Sequence, residues 1–211
     1  MEANVDAHVR DNVGDRELRR RQLAQRLVLH HARTHTIFQF TGLSRHQLAT
    51  LRQRWRVTDE MRHRGPPPTS FAIFRSTVRV RAEAAALAVF WRTLATVGTS
   101  IGRDYSPAHA VEFGERLCEV IEAYLACFPT SALDLEHLVL LARGLEKADA
   151  IALAKCGSCD AVILIDLLEL RRRICPHCQH ADPLASVNPE PQNEPSESLP
   201  GAGEAIQQEL F

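Results

Sequence analysis

The chain has 211 residues, 45% of them hydrophobic and 24% charged, enough to bury one sizeable core or a main domain with a small appendage. No apolar stretch is long and charge-free enough to cross a bilayer, since even AVILIDLLEL at 161–170 carries Asp166 and Glu169. The opening MEANVDAHVRDNVGDRELRRR has no apolar signal core either, so a soluble, cytoplasmic protein without membrane contact is expected.

The formal net charge of −1 hides an asymmetry: residues 1 to 81 hold sixteen Arg, no Lys and seven acids, whereas residues 182 to 211 hold six acids and no basic residue. A basic front end suits a polyanion such as DNA; an Arg-rich solvated helix surface has the same composition. The first periodic segment, residues 16 to 33, predicts a helix with Leu18, Leu23 and Leu27 among many arginines.

TIFQFTGLSRHQLATLRQRW follows, with the build of a helix-turn-helix: a short helix, a Gly at the turn, then a capped second helix. Ser44 and Gln47 form an S-x-x-Q capping box, with Leu43 and Leu48 at the two staple positions. Leu48, Leu51 and Trp55 are assigned to the core, and Arg45, Arg52 and Arg56 to the opposite face, with His46 beside them. Such a face suits a major groove, with Arg reading guanine edges or holding phosphates.

RGPPPTS at 64–70 places three prolines where no helix interior tolerates them, and marks a linker or rigid turn. Beyond it, RAEAAALAVFWRTLATV is rich in helix formers. SPAHAVEFGERLCEVIEAYLACF opens with Ser106 as N-cap and Pro107 at the first helical position, and runs Leu117, Ile121, Tyr124 and Phe128 along one stripe. SALDLEHLVLLARGLEKADAIALA predicts another helix, starting at a cap-like Ser131-x-x-Asp134 and presenting Leu135, Leu138, Ala142 and Leu145 on one side. The final stretch, from 182 onward, is rich in Pro, Glu and Ser and predicts a disordered acidic tail.

The most specific signal lies just before that tail. Cys156, Cys159, Cys175 and Cys178 make two Cys-x-x-Cys pairs with fifteen residues between the inner cysteines. In a reducing compartment this spacing implies a closed structural site for one zinc ion per chain, because two knuckles supply four tetrahedral thiolates. A thioredoxin-type redox pair needs only one such motif and a βαβ pattern, which is missing. Four thiolates leave no position for a reactive water, so an enzyme is not expected. His177, inside the second knuckle, is an alternative ligand that the symmetric pairs make unnecessary, and Cys118 and Cys127 are assigned to packing. A segment this short needs the metal to order itself, and AVILIDLLEL docks on the helical body. Arg171, Arg172 and Arg173 sit at the module's edge, where they touch phosphate or merely solvate it.

These readings give a mainly α protein with a basic N-terminal region at 1–65 containing the helix-turn-helix-like segment, a helical body at 66–154, a zinc module at 155–181 and an acidic tail at 182–211. The order TGLSRHQL, RGPPP, helical middle, CGSC and CPHC resembles the C subunit of the bacterial flagellar master transcriptional activator, FlhC, whose partner is FlhD. After its prolines this chain has TSFAIFRSTVRV and a later Trp91 in place of the family's aromatic stretch, so the resemblance is to a distant member. It implies a zinc-containing, DNA-binding subunit in a hetero-oligomer of two C and four D subunits that binds promoters of flagellar operons and recruits RNA polymerase. The family's zinc ligands then fall on the four cysteines, and its helix-turn-helix-like segment on Thr41 to Arg56. A zinc-stapled adaptor that binds protein and no nucleic acid is the alternative.

Overall fold

The computed structural model describes residues 13–57, 65–95, 107–148, 150–169 and 173–181. Ser106, Arg171, Arg172 and the acidic tail at 182–211 lie outside the described residues. The chain is mainly helical, with one small antiparallel sheet among the described residues. Among the described residues no helix is long and apolar enough to cross a membrane.

Helix α1 (Val13–Leu29) buries Leu23, Ala24, Leu27 and Val28. Leu18, expected in the same stripe, is 56% exposed; five residues from Leu23, it lies about 140° around the helix from that stripe. The helix also stops earlier than expected. His31 takes a left-handed conformation, φ 57°, and Arg33 is already extended at the start of α2 (Thr34–Thr41).

Helix α2 ends at Gly42, whose φ of 66° any side chain would strain, and whose N–H donates to the Phe38 carbonyl. Leu43 and Ser44 complete the turn into α3 (Arg45–Arg54). Here the predicted capping box is present: the Gln47 amide donates to Ser44 Oγ at 3.2 Å, and the Ser44 amide to Gln47 Oε1 at 2.8 Å. Both staple leucines, Leu43 and Leu48, are buried.

A single core runs through the whole helical part, taking Leu23, Ile37 and Leu48 from the N-terminal helices together with Leu87, Ile121 and Leu141 from those beyond the prolines. The proline segment is thus a turn within one packed unit. It is tied down where Arg33 Nη1 donates to the Gly65 carbonyl at 2.6 Å. After a 3-10 turn at Phe71–Arg75 that buries Phe74, α4 (Val78–Ala95) and α5 (Pro107–Cys127) form the centre, the latter opening at Pro107 as expected. Leu117, Ile121 and Tyr124 are buried along its stripe, while Phe128, just past the helix, is 40% exposed.

Helix α6 (Leu135–Lys147) differs from expectation at both ends. Its N-cap is Asp134, in a capping box with His137. Ser131 is engaged elsewhere: its hydroxyl lies 2.8 Å from Tyr124 Oη and donates to Glu83 Oε2 at 3.0 Å. At the other end Ala148 turns left-handed, φ 51°, and residues 151–154, expected as helix, belong to strand β1 (Ile151–Lys155). Their helix propensity yields to pairing with β2 (Val162–Asp166), antiparallel with Leu153 opposite Leu164 and Ala154 opposite Ile163. Gly144 makes room for this: a Cβ there would lie 2.6 Å from the Phe71 ring and 2.8 Å from Ile151 Cδ1.

The hairpin has two apolar faces. Ile151, Leu153 and Leu164 join the main core, whereas Ala154, Ile163 and Ile165 face a second, small cluster with Cys156 and Cys175. The short helix α7 (Pro176–Ala181) closes the module. It is fixed to α4 by Arg81 Nη1 donating to Gln179 Oε1 at 2.7 Å, while Arg75 pairs with Asp166 and Glu169 at the hairpin's base. Within AVILIDLLEL, residues 162–166 form β2, and Leu164 packs against the body's core, the side on which docking is expected.

Candidate metal centre and helix-turn-helix-like face

The first knuckle is the tip of the β-hairpin. Cys156 follows β1 directly; its amide donates to the Ala161 carbonyl at 2.8 Å, and its carbonyl accepts from the Asp160 amide at 3.1 Å, with Asp160 at φ 58° completing the tight reversal. The second knuckle is the start of α7, where Pro176 occupies the first helical position and Cys175 acts as the cap, its Sγ accepting from the Cys178 amide at 3.3 Å. Backbone amides join the knuckles: the Cys175 amide donates to Cys156 Sγ at 3.2 Å, and the Gly157 amide to the Arg173 carbonyl at 2.8 Å.

All four sulfurs lie within 4.8 Å of one another, with Cys159 and Cys175 Sγ 3.6 Å apart, and every cysteine is a free thiol. A tetrahedral ion about 2.3 Å from each sulfur needs sulfur–sulfur edges of about 3.8 Å, so the donor set fits a single tetrahedral metal. The electrostatics agree. Amide donation from Cys175 and Ser158 brings the Cys156 thiol down to about 6, whereas the neighbouring sulfurs of Cys159 and Cys175 push Cys178 up to about 12. A cation among the sulfurs would favour loss of their protons. His177 is exposed and outside the cluster. Burial pushes Cys118 up to about 12, as suits an inert packing thiol, while Cys127, expected to pack, is exposed.

The helix-turn-helix-like unit is present, but its expected cationic face is not. Arg52 is only 8% exposed, and its Nη1 donates to Thr34 Oγ1 at 2.9 Å, so it joins α3 to the start of α2. Four residues on from Leu48, it lies only about 40° around the helix from that buried leucine. Arg56 lies beyond the helix end with a left-handed φ of 55°. Arg45 and His46 are exposed on the first turn as expected. Thr50, Gln53 and Arg54, all exposed, lie with His46 on the face turned away from the core, about 120–160° around the helix from Leu48, whereas Arg45, about 60° from Leu48, is exposed at the helix start.

Glu136 of α6 was not singled out by any motif. It is 3% exposed, and its carboxylate accepts from the Arg33 amide at 2.7 Å and from Thr36 Oγ1 at 2.9 Å. Arg33, the N-cap of α2, offers no side-chain cap of its own, so a carboxylate from the body supplies it. The orientation of α2, and through Arg52 that of α3, is fixed from α6.

Much of the N-terminal positive charge is spent inside the molecule. Arg19 Nε donates to Glu115 at 2.7 Å, and Arg26 Nη2 to Glu122 at 2.8 Å, so α1 is clamped on α5 by two forked pairs. Arg173 is exposed at the metal module. No protein-family model matches the chain, and no curated protein matches it.

Proposed function

We propose that the chain is the DNA-binding subunit of a cytoplasmic transcriptional activator complex, working with an FlhD-type partner, binding promoter DNA and engaging RNA polymerase, with flagellar operons among its targets. In this reading the four cysteines hold one zinc ion with a structural role, and the chain is not an enzyme. What supports it is the α2–turn–α3 unit. Its second helix carries a full capping box and exposes Arg45, His46, Thr50, Gln53 and Arg54, while Arg52 and Glu136 lock the supporting side. A rigid helix with a polar outer face at a capped start is what major-groove reading requires.

An adaptor that binds protein alone is the second reading, favoured by the pairing of Arg19 and Arg26 with α5, which removes charge that a polyanion would use. Promoter binding by the co-expressed complex separates the two. Replacing Arg45 with Ala is expected to cost about 1–3 kcal/mol and relax base preference. Replacing Arg54 is expected to weaken binding on all sequences and make the dependence of log affinity on log salt shallower by about one unit. An intact, metal-loaded complex that binds promoter DNA equally well with Arg45, His46 and Arg54 all replaced by Ala would leave the adaptor reading standing.

A further inference from the structure

The four sulfurs of the cysteine cluster are not equally open to solvent. Cys159 is exposed at the hairpin tip, and Gly157, Ser158, Asp160 and Ala161 around it are exposed as well. Cys156 and Cys175 are only 1% and 5% exposed, and Cys178 is half-buried. A small polar oxidant arriving from water thus meets the sulfur of Cys159 first. Cys175 Sγ stands 3.6 Å from that sulfur, in contact with it and itself shielded from solvent. An exposed sulfur touching a buried one is the arrangement of an attacked thiol and the thiol that resolves it.

We propose that Cys159 is a modification site for peroxide, with Cys175 as its resolving partner. In the first step the Cys159 thiolate attacks one peroxide oxygen: an S–O bond forms, the O–O bond breaks, and the second oxygen leaves as hydroxide, giving a sulfenic acid. In the second, the Cys175 thiolate attacks the Cys159 sulfur, an S–S bond forms, the S–O bond breaks, and a second hydroxide leaves. Two thiolates give up two electrons, and one peroxide takes them up as two hydroxide ions. The disulfide joins the hairpin tip to the start of α7, across the junction that the Cys175–Cys156 and Gly157–Arg173 bonds already bridge, so the knuckles stay together. Two sulfur ligands then remain in the cluster, too few to hold an ion in a closed tetrahedral site. The release of metal rests on the zinc reading given above; the thiol pairing does not. The module is on this account a reversible switch, reset by a reducing thiol and zinc.

Peroxide titration of the full chain tests it. Zinc content is measured first; after peroxide treatment the free thiols are alkylated, the joined peptides are mapped by mass spectrometry without reduction, and a chromophoric chelator follows zinc in solution. The expected result is Cys159–Cys175 as the main disulfide, one zinc released per disulfide on the same time course, and reversal of both by dithiothreitol and zinc. With dimedone present to capture sulfenic acids, the label should fall on Cys159 at least about fivefold more than on Cys156, Cys175 or Cys178. Cys127, an exposed thiol outside the cluster, is the internal benchmark of oxidant strength. Four results overturn the inference: a cluster that keeps all its thiols while Cys127 is oxidised, a main disulfide of any other pairing, including one between two copies, dimedone spread evenly over the four cysteines, or zinc retained after the disulfide has formed. A chain that holds no zinc before oxidation fails the metal reading instead, and the disulfide map then decides the thiol pairing alone.

Discussion

The helical body encloses a continuous core running from Leu23 on α1 to Ile151 on the hairpin, whereas among the described residues the sulfur-side cluster of the cysteine module holds only Cys156, Ile163 and Cys175 as buried residues. The body can hold its shape through buried apolar area. Two short strands and a one-and-a-half-turn helix bury much less apolar area against their ordering entropy, so in the proposed reading a metal ion supplies the rest. In that reading one chain uses two sources of stability, and they meet where β1 and β2 turn Leu153 and Leu164 toward the core and Ile163 toward the sulfurs.

This contrast can be broken at either end. The largest effect is expected from Cys175→Ser, which removes a buried member of the four-cysteine cluster that is also the cap of α7: if the cluster holds one zinc ion as proposed, the chain should lose it, and with it on the order of 10 kcal/mol of metal-binding free energy. Metal analysis and far-UV circular dichroism check this, the helical signal being expected to remain. Second comes Leu117→Ala, at a fully buried site of the body. It should cost about 2–5 kcal/mol in denaturant unfolding while zinc content stays at one per chain; metal loss in parallel would mean that the two regions share one stability.

The smallest expected effect is a pH dependence confined to the body. Burial alone would raise the Glu83 carboxyl, but hydrogen bonds from Arg79, the Ala132 amide and Ser131 outweigh it and hold it below its usual range. A folded-state value below the unfolded one contributes stability that is fully present above about pH 4.5 and is lost as pH falls through the folded value. Glu83→Gln should cost about 1 kcal/mol at neutral pH and flatten the stability-versus-pH curve below that point, as denaturant titrations at several pH values would show.

The sequence made the two regions legible to different depths. The spacing of the cysteines named the four residues that the fold brings together, because ligand spacing is chemistry and does not depend on how the chain folds around it. The Ser44–Gln47 box and the Gly42 turn were equally plain, since caps are local. The hairpin was not, because IALAK reads as helix until its strand partner is known, and pairing across residues 156–161 is a tertiary fact. Arg52 was misassigned for a related reason: an arginine is expected outside, yet its position beside Leu48 and the hydroxyl of Thr34 drew it in. Glu136 left no local trace, since its partners Arg33 and Thr36 lie about a hundred residues away.

The most direct test of metal-dependent order in the module is amide hydrogen exchange of the full chain, read by mass spectrometry before and after removal of the metal with a strong chelator. Peptides covering 150–169 and 173–181 should lose protection by several orders of magnitude, while those covering α4, α5 and α6 keep theirs, and re-addition of zinc should restore the difference. Protection of the hairpin that survives complete metal removal, or a body that loses protection together with it, would contradict the account.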